Sequence, residues 1–551
     1  MSLLMGTFED PPFILDEALT SPTITRNIFM ANRSEQETIK LIRQVLGEHK
    51  DLWMNRLGDM KRLRRAYMTR FFEDLVPDES SLRVETSDGY TFVEAYIASL
   101  FEKSPSIEAD SMQASQDDIE IAKACINSWM SDNRKALENG SRLALIYPMA
   151  FFKISPRDSM DPLNRVAIRA LEPWNVILDR DADLWDEQRF VAHHYYLPLN
   201  DATALYGSKK WNPVSKPDYF QNEDRVGSGK FQSLPNEYKY IEVVEFYDLT
   251  MDKMYIFSPN YKVGGGLLED MKIPLRNYDG SPLVPIAPLY YSRTPDKPMD
   301  GYSTLGRVYD QLFEKNIIRT FWANAIRRDS RQFLYKEGVI DEESLAKISA
   351  GQDGAMIPVD ADSLDGLIRS IPVEPLSANF DRYLGMVESD IQRGSIISAN
   401  TKGEATKATA TEVTALAQYT ASEIGRMARE RDEAIEMLAN IFIRMLVYQL
   451  EDNERPVIMI GKKPQFVTSD KLDHKIKYYA LDQASTPLSK ELKKRQLVDL
   501  LPVLAQLNVD PKAIKEELIR SFNLPETFLK EPEQPKLTES PEVAAPMEMP
   551  Q

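Results

Sequence analysis

The sequence predicts an α+β fold, and three observations carry that reading. Apolar residues recur at helical spacing from Ser34 to Leu145, the spacing shortens to that of strands from Met149, and long helical stripes return between Ser303 and Leu450 around a strand-like insertion. The 551 residues are 43% hydrophobic, enough for several cores, and the length corresponds to about three or four domains.

The first helix opens at Ser34, which can form a capping box with Glu37, each side chain satisfying the other residue's exposed N–H. Ile39, Ile42, Val45 and Leu46 make its apolar stripe. A second helical run passes Trp53 and reaches Phe72 through the basic cluster KRLRRAYMTR, residues 61–70. That cluster could grip phosphates, but a solvated helix face is the simpler reading. Further helices cover residues 91–101 and 117–145, and the second of these places Cys125 in a setting, IAKACINSWM, that suggests a buried thiol.

From Met149 the segments MAFFKISP, RVAIRALEP, RFVAHHYYLP and YIEVVEFYDL are short, rich in β-branched and aromatic residues, and bounded by Pro, Asp and Asn, as strands are. Residues 207–237 interrupt them with a polar stretch that reads as an exposed loop. After the proline-rich SPLVPIAPLYYSRTPDKP the helical period returns over residues 303–328, about 39 Å of helix. Its stripe is Leu305, Val308, Tyr309, Leu312, Phe313 and Ile317, continuing through Phe321 and Ala325. A small mixed segment over residues 332–375 carries the strand-like QFLY and GAMIPV, and a shorter helix covers 379–397. The stretch NTKGEATKATATE, residues 400–412, has no large apolar side chain and cannot bury a core. A long amphipathic helix follows over 412–450, with Val413, Leu416, Ile424, Met427, Ile435, Leu438, Phe442 and Met445. Strand-like PVIMI and KIKYYAL, a helical module over 487–528 with Leu497, Leu500, Leu501, Leu504 and Leu507 on one face, and a tail rich in Pro and Glu complete the chain. The tail composition predicts disorder.

Charge and motifs restrict the function. A formal net charge of −18 disfavours a DNA reader that gains affinity by neutralising phosphates. A single cysteine excludes an internal disulfide and fits a reducing compartment. No stretch is long enough to span a bilayer, so neither secretion nor membrane anchoring is expected. VGSGKFQ lacks the first glycine and the hydroxyl residue of a phosphate loop, and GGG, residues 264–266, reads as a hairpin turn. His193 and His194 are neighbours in a strand, point to opposite faces and cannot share a metal. The acidic run over residues 179–187 would suit a divalent-ion nuclease, but it follows a strand end where Asp-rich turns are common. No catalytic, cofactor or metal site is expected.

The order of these elements resembles the portal (head-to-tail connector) proteins of tailed double-stranded DNA phages, from about Ser34 to about Lys530. YTFVEAYIASLFEKSPSIEA and ALEPWNVILDRDADLWDEQRFVAHHYYLP resemble the family's wing; GRVYDQLFEKNIIRTFWANAIRRDSRQFLY resembles the first stem helix entering the clip; ATATEVTALAQYTASEIGRMARERDEAIEMLANIFIRML resembles the start of the long helix after the channel loop. The resemblance implies a portal-type fold with an α/β wing, long stem helices, a small α/β clip and a helical crown. It assigns an N-terminal arm to residues 1–33, wing to 34–302 and 413–486, stem helices to 303–331 and 377–399, clip to 332–376, tunnel loop to 400–412, crown to 487–530 and a disordered tail to 531–551. It also implies Lys402 and Lys407 presented to DNA in the tunnel loop, and clip strands around Leu334 and Ile357 that join neighbouring subunits.

The expected function is a non-enzymatic ring at one capsid vertex of the virion, assembled in the host cytoplasm, through which double-stranded DNA passes without being read. The expected partners are further copies of the chain, the terminase large subunit, head-tail adaptors, the major capsid protein and a scaffolding protein. If one helix per subunit lines the lumen at about 10 Å spacing, about twelve copies leave a bore of about 28 Å, wide enough for a duplex of about 20 Å, whereas about six leave only about 10 Å. A tail or baseplate structural protein, or a metal-dependent nuclease, are the alternatives.

Overall fold

The computed structural model describes residues 33–72, 82–102, 104–207, 211–214, 239–261, 264–295, 299–329, 333–335, 341–343, 346, 368–370, 378–394, 410–451, 454–460 and 463–481. The chain divides into two units, Met1–Lys407 with Glu423–Ala484, and Ala408–Ser422 with Ser485–Gln551. All contacts below lie within the first unit; of the second, the described part is the opening of one long helix.

The two N-terminal helical runs form one helix, α1 (Glu35–Met68), about 51 Å long. Its start is the anticipated capping box: the Glu37 carboxylate accepts from the Ser34 N–H at 2.8 Å, and the Ser34 hydroxyl accepts from the Glu37 N–H at 3.3 Å. Thr69 ends it in the left-handed conformation, φ 59°. Three more helices follow, α2 (Asp88–Leu100), α3 (Gln116–Asp132) and α4 (Arg134–Ile146). With them runs strand β1 (Ser106–Asp110).

The strand-like sequences form two antiparallel sheets. β2 (Ala150–Pro156) pairs with β3 (Val166–Leu171) and with β9 (Ile286–Leu289). A five-stranded sheet runs in the order β4 (Val176–Leu178), β5 (Phe190–Pro198), β6 (Tyr240–Asp248), β7 (Lys253–Phe257) and β8 (Leu267–Lys272).

Alternation decides the layering. Ala150, Phe152 and Ile154 of β2 enter the helical core, while Phe151 joins a second core with Val191 and Tyr247 of the larger sheet. The other face of the larger sheet, through Ala192, Val244, Phe246 and Phe257, packs on Ile42 and Leu46 of α1. The inner strands β2, β5 and β6 are therefore largely covered on both sides, and β2 and β6 are mostly buried apolar residues.

After the five strands, a 3-10 turn (Leu305–Val308) leads into α6 (Tyr309–Asp329), which follows the short α5 (Leu199–Tyr206) in chain order. A two-stranded pair, β10 (Phe333–Tyr335) with β11 (Ile368–Ser370), precedes α7 (Ala378–Arg393), and α8 (Ala410–Gln449) spans 40 residues. Ile424, Met427, Ile435, Leu438, Phe442 and Met445 of α8 are buried in the helical core, where Phe442 stacks on Trp129 at 4.5 Å. Arg431 is buried beside them. Its guanidinium grips Asp432 at 2.6 Å and donates to the Leu100 carbonyl, occupying an orphan acceptor at the end of α2. The chain returns through hairpin β12 (Val457–Ile460) and β13 (Lys463–Phe466), the turn of helix α9 (Ser469–Leu472), and β14 (Lys477–Leu481), which pairs with β1.

The stripe expected on α6 splits. Leu305, Val308 and Leu312 are buried, but Ile317 and Phe321 are 46% and 48% exposed, because the face beside them is taken by polar contacts. The extended segment over residues 82–86 lies along α6, and every second residue of it bonds to a side chain one helical turn further along. Asn316 accepts from the Thr86 N–H at 2.7 Å, Thr320 from the Val84 N–H at 2.9 Å, and Asn324 from the Leu82 N–H at 2.7 Å while donating to the Leu82 carbonyl at 2.7 Å. Two extended residues advance about 6.6 Å and four helical residues about 6.0 Å, so the two repeats match for three rungs. Asn316 is fully buried, so Asn316→Leu strands the Thr86 N–H and should cost about 1–3 kcal/mol, read as a lower midpoint in urea unfolding with an unchanged slope.

Candidate functional site

The helix pair α6 and α7 packs on the first unit through buried Leu312 and Asn316 of α6 and leaves most described side chains of α7 exposed or half-buried. The two helices run antiparallel: Tyr383 donates to Glu314, and Gly394, one residue beyond α7, lies so close to Val308 that a Cβ there would come within 2.6 Å of its Cγ1. Lys315 ties the pair to the body, with Nζ 2.9 Å from Asp88 and 3.1 Å from Glu388 of α7. Only Val387 of α7 is buried among its described side chains. Tyr383 and Met386, with Ile317 and Phe321 of α6, are left exposed.

Leu334 lies in β10, opposite Arg369 of β11, so the insertion between the helices is an antiparallel pair at that point. Ile357, Lys402 and Lys407 lie outside the described residues, as do most of the 400–412 stretch, the leucine-rich module over 487–530 and the C-terminal tail. Of the four named residues, Leu334 alone lies among the described ones.

His193 and His194 do point to opposite faces of β5. On one face the Lys153 ammonium of β2 sits 2.9 Å from His193 Nδ1 and 2.5 Å from the Glu245 carboxylate of β6, which also accepts from the Tyr247 hydroxyl at 3.0 Å. On the other, His194 Nε2 lies 2.8 Å from the Glu242 carboxylate, which takes Lys50 of α1 at 2.5 Å. Burial drives the His193 imidazole down to about 3, helped by the Lys153 charge, so it stands neutral at pH 7. Burial works to raise the Glu245 carboxyl, but the Lys153 ammonium beside it outweighs that and holds the group below its ordinary range.

The acidic turn is an ion-paired one. Arg189 holds Asp179 with one guanidinium nitrogen at 2.8 Å and Asp181 at 2.7 Å, and Gln188 closes the turn by accepting from the Asp179 N–H at 2.8 Å. Two carboxylates of the run, Asp179 and Asp181, are thereby occupied by one cation. Beside this turn a cleft of about 270 Å³ opens between α1 and β4, floored by Val45, Trp53, Val176 and Met299. His49 stands in its wall, bonded to the Trp174 carbonyl at 2.8 Å, and burial drives its imidazole down to about 4.

Among the described residues no three His, Cys, Asp or Glu side chains are grouped to hold a metal ion, and no helix is long and apolar enough to cross a membrane. Sequence reading missed the polar rungs Asn316, Thr320 and Asn324. Their signal was an uncharged polar triplet spaced by four residues along one face of the helix. It also missed Lys153, a lone charge at the centre of the apolar strand MAFFKISP.

No family model matches the chain, and no curated protein matches it. Among solved structures it is similar to one described as "Neck of empty GTA particle computed with C6 symmetry", at 12% identity, with 85% of this chain and 94% of that chain covered and a TM-score of 0.38.

The buried imidazoles set a pH dependence. Their folded values, about 4 for His49 and about 3 for His193, lie below the ordinary 6.5, so the stability they contribute is complete above about pH 6.5 and is lost as pH falls toward those values. Glu245, also depressed, adds to the loss at the acid end. Thermal unfolding followed by circular dichroism should give a level midpoint from pH 8 to 7 and a falling one from pH 6.5 to 4; His49→Gln with His193→Gln should flatten the upper part of that fall.

Proposed function

We propose that this chain is a portal: a non-enzymatic ring at one capsid vertex of a tailed phage, through which double-stranded DNA enters and leaves, and on which the terminase and the tail adaptors dock. The observation that carries the reading is the helix pair α6 and α7, joined through the two-stranded insertion β10 and β11, followed by the 40-residue α8, and bearing exposed Ile317, Phe321, Tyr383 and Met386. A monomer gains nothing from that apolar surface; a ring in which each copy covers its neighbour's helix pair buries it. The channel geometry above selects about twelve copies for duplex DNA. The acidic net charge suits a conduit, since tight phosphate contacts would hold back the DNA.

In this reading Lys402 and Lys407, two per subunit, line the channel as rings of positive charge, screened over about 8 Å at physiological salt, that touch the backbone without reading sequence. Leu334 and Ile357 belong to the segment in which neighbouring subunits complete one another. The copies assemble in the host cytoplasm on the major capsid and scaffolding proteins and remain in the virion.

Negative-stain imaging of the purified protein tests the reading: rings with a central channel support it, and fibres or wedges assign the chain to a tail or baseplate instead. Ile317→Asp with Phe321→Asp should convert rings to soluble monomers by mass photometry. Lys402→Ala with Lys407→Ala should leave rings intact and shorten the DNA retained in filled heads; wild-type filling and retention would return that stretch to the role of a linker.

A further inference from the structure

The hairpin β12–β13 combines exposed large apolar side chains with cations that have no ion-pair partner among the described residues. Val457, Met459 and Phe466 project from its outer face, 48%, 59% and 57% exposed, while Ile458 on the inner face anchors it in the helical core. Lys463 at its tip, and Lys475 and Lys477 just beyond it, have no ion-pair partner among the described residues. From Arg455 to Tyr479 the chain carries six Lys or Arg and two Asp, a balance of +4 within a protein of net charge −18. Lysines alone would suit nucleic acid, but three large apolar side chains between them need an apolar counterpart, which DNA backbone does not supply.

The counterpart is present on the same molecule. The cleft between α1 and β4 has an apolar floor and a charged rim, in which Arg180 and Arg189 are taken by Asp300, Asp179 and Asp181 while Glu48 and Asp183 have no cationic partner among the described residues. Its volume, about 270 Å³, lies below that of drug-sized ligand sites and suits one or two large side chains. No hairpin residue lines the cleft of its own chain.

The geometry points to a head-to-tail contact in which the β12–β13 hairpin of one copy seats Met459 and Phe466 in the α1/β4 cleft of the next, with its lysines against Glu48 and Asp183. Two unlike patches on one chain make a heterologous contact, which generates a closed ring when the rotation between copies closes. This rests on the ring reading and adds the surface that sets the order of copies.

Cross-linking tests it. In a Cys125→Ser background, which leaves no other thiol, Asp183→Cys with Lys463→Cys should give a ladder of covalent multimers on a non-reducing gel, and each single cysteine variant should not. Charge reversal gives an independent reading. Asp183→Lys with Glu48→Lys should raise the concentration at which rings dissociate by about tenfold or more, and adding Lys463→Glu with Lys475→Glu in the same chain should restore much of it. Intact rings that cross-link only within monomers, or lysine variants that lose DNA retention but keep wild-type rings, overturn the proposal and leave the ring standing. A wild-type protein that stays monomeric at every concentration overturns the ring and this contact with it.

Discussion

Much of this structure depends on a strand that has no exposed face. β2 presents Phe152 and Ile154 to the helical core and Phe151 to the larger sheet, and Lys153, the one cation on that second face, meets Glu245 and His193 there. A buried charge without a partner is costly, and an apolar residue at 153 would leave the Glu245 carboxylate alone. The pair therefore ties β2 to the inner strands β5 and β6 of the larger sheet. The ion pair thus adds a directional contact between two layers that otherwise meet through apolar side chains.

Further from the core, position is set by backbone hydrogen bonding. The segment over residues 82–86 belongs to no sheet, and its N–H groups at 82, 84 and 86 are satisfied by side chains of α6. Spending one face of α6 on this polar ladder, and another on α7, leaves Ile317 and Phe321 outside. The exposed apolar surface that suggests assembly is thus a consequence of how the helix is attached. A helix bound through its apolar stripe would have had nothing left to offer a neighbour.

Much of the candidate site was written in the sequence only as pattern. The helix pair and the long α8 were legible because many residues at 3.6 spacing leave little ambiguity, and the opposite orientation of His193 and His194 followed from strand parity alone. The partners of those histidines were not legible. Lys153 is 40 residues from His193 and 92 from Glu245 in the chain, and Arg189 lies beyond the acidic turn whose carboxylates it occupies. The cleft and the hairpin face were equally hidden, since both are made of residues that read singly as ordinary surface or core.

By itself the sequence determined most of the described helices and the strands β2, β3, β5, β6, β12 and β14, where α1 begins, that Cys125 is buried, and the α+β class, because each depends on residues close together in the chain. Tertiary structure alone decided which apolar residues of α6 are covered, which carboxylates are spoken for, and which cations remain unpaired. The physical reason is that burial and pairing belong to the neighbours a side chain finds across space. A helical stripe states that a face is apolar; only the packed molecule states whether anything in the same chain is left to cover it.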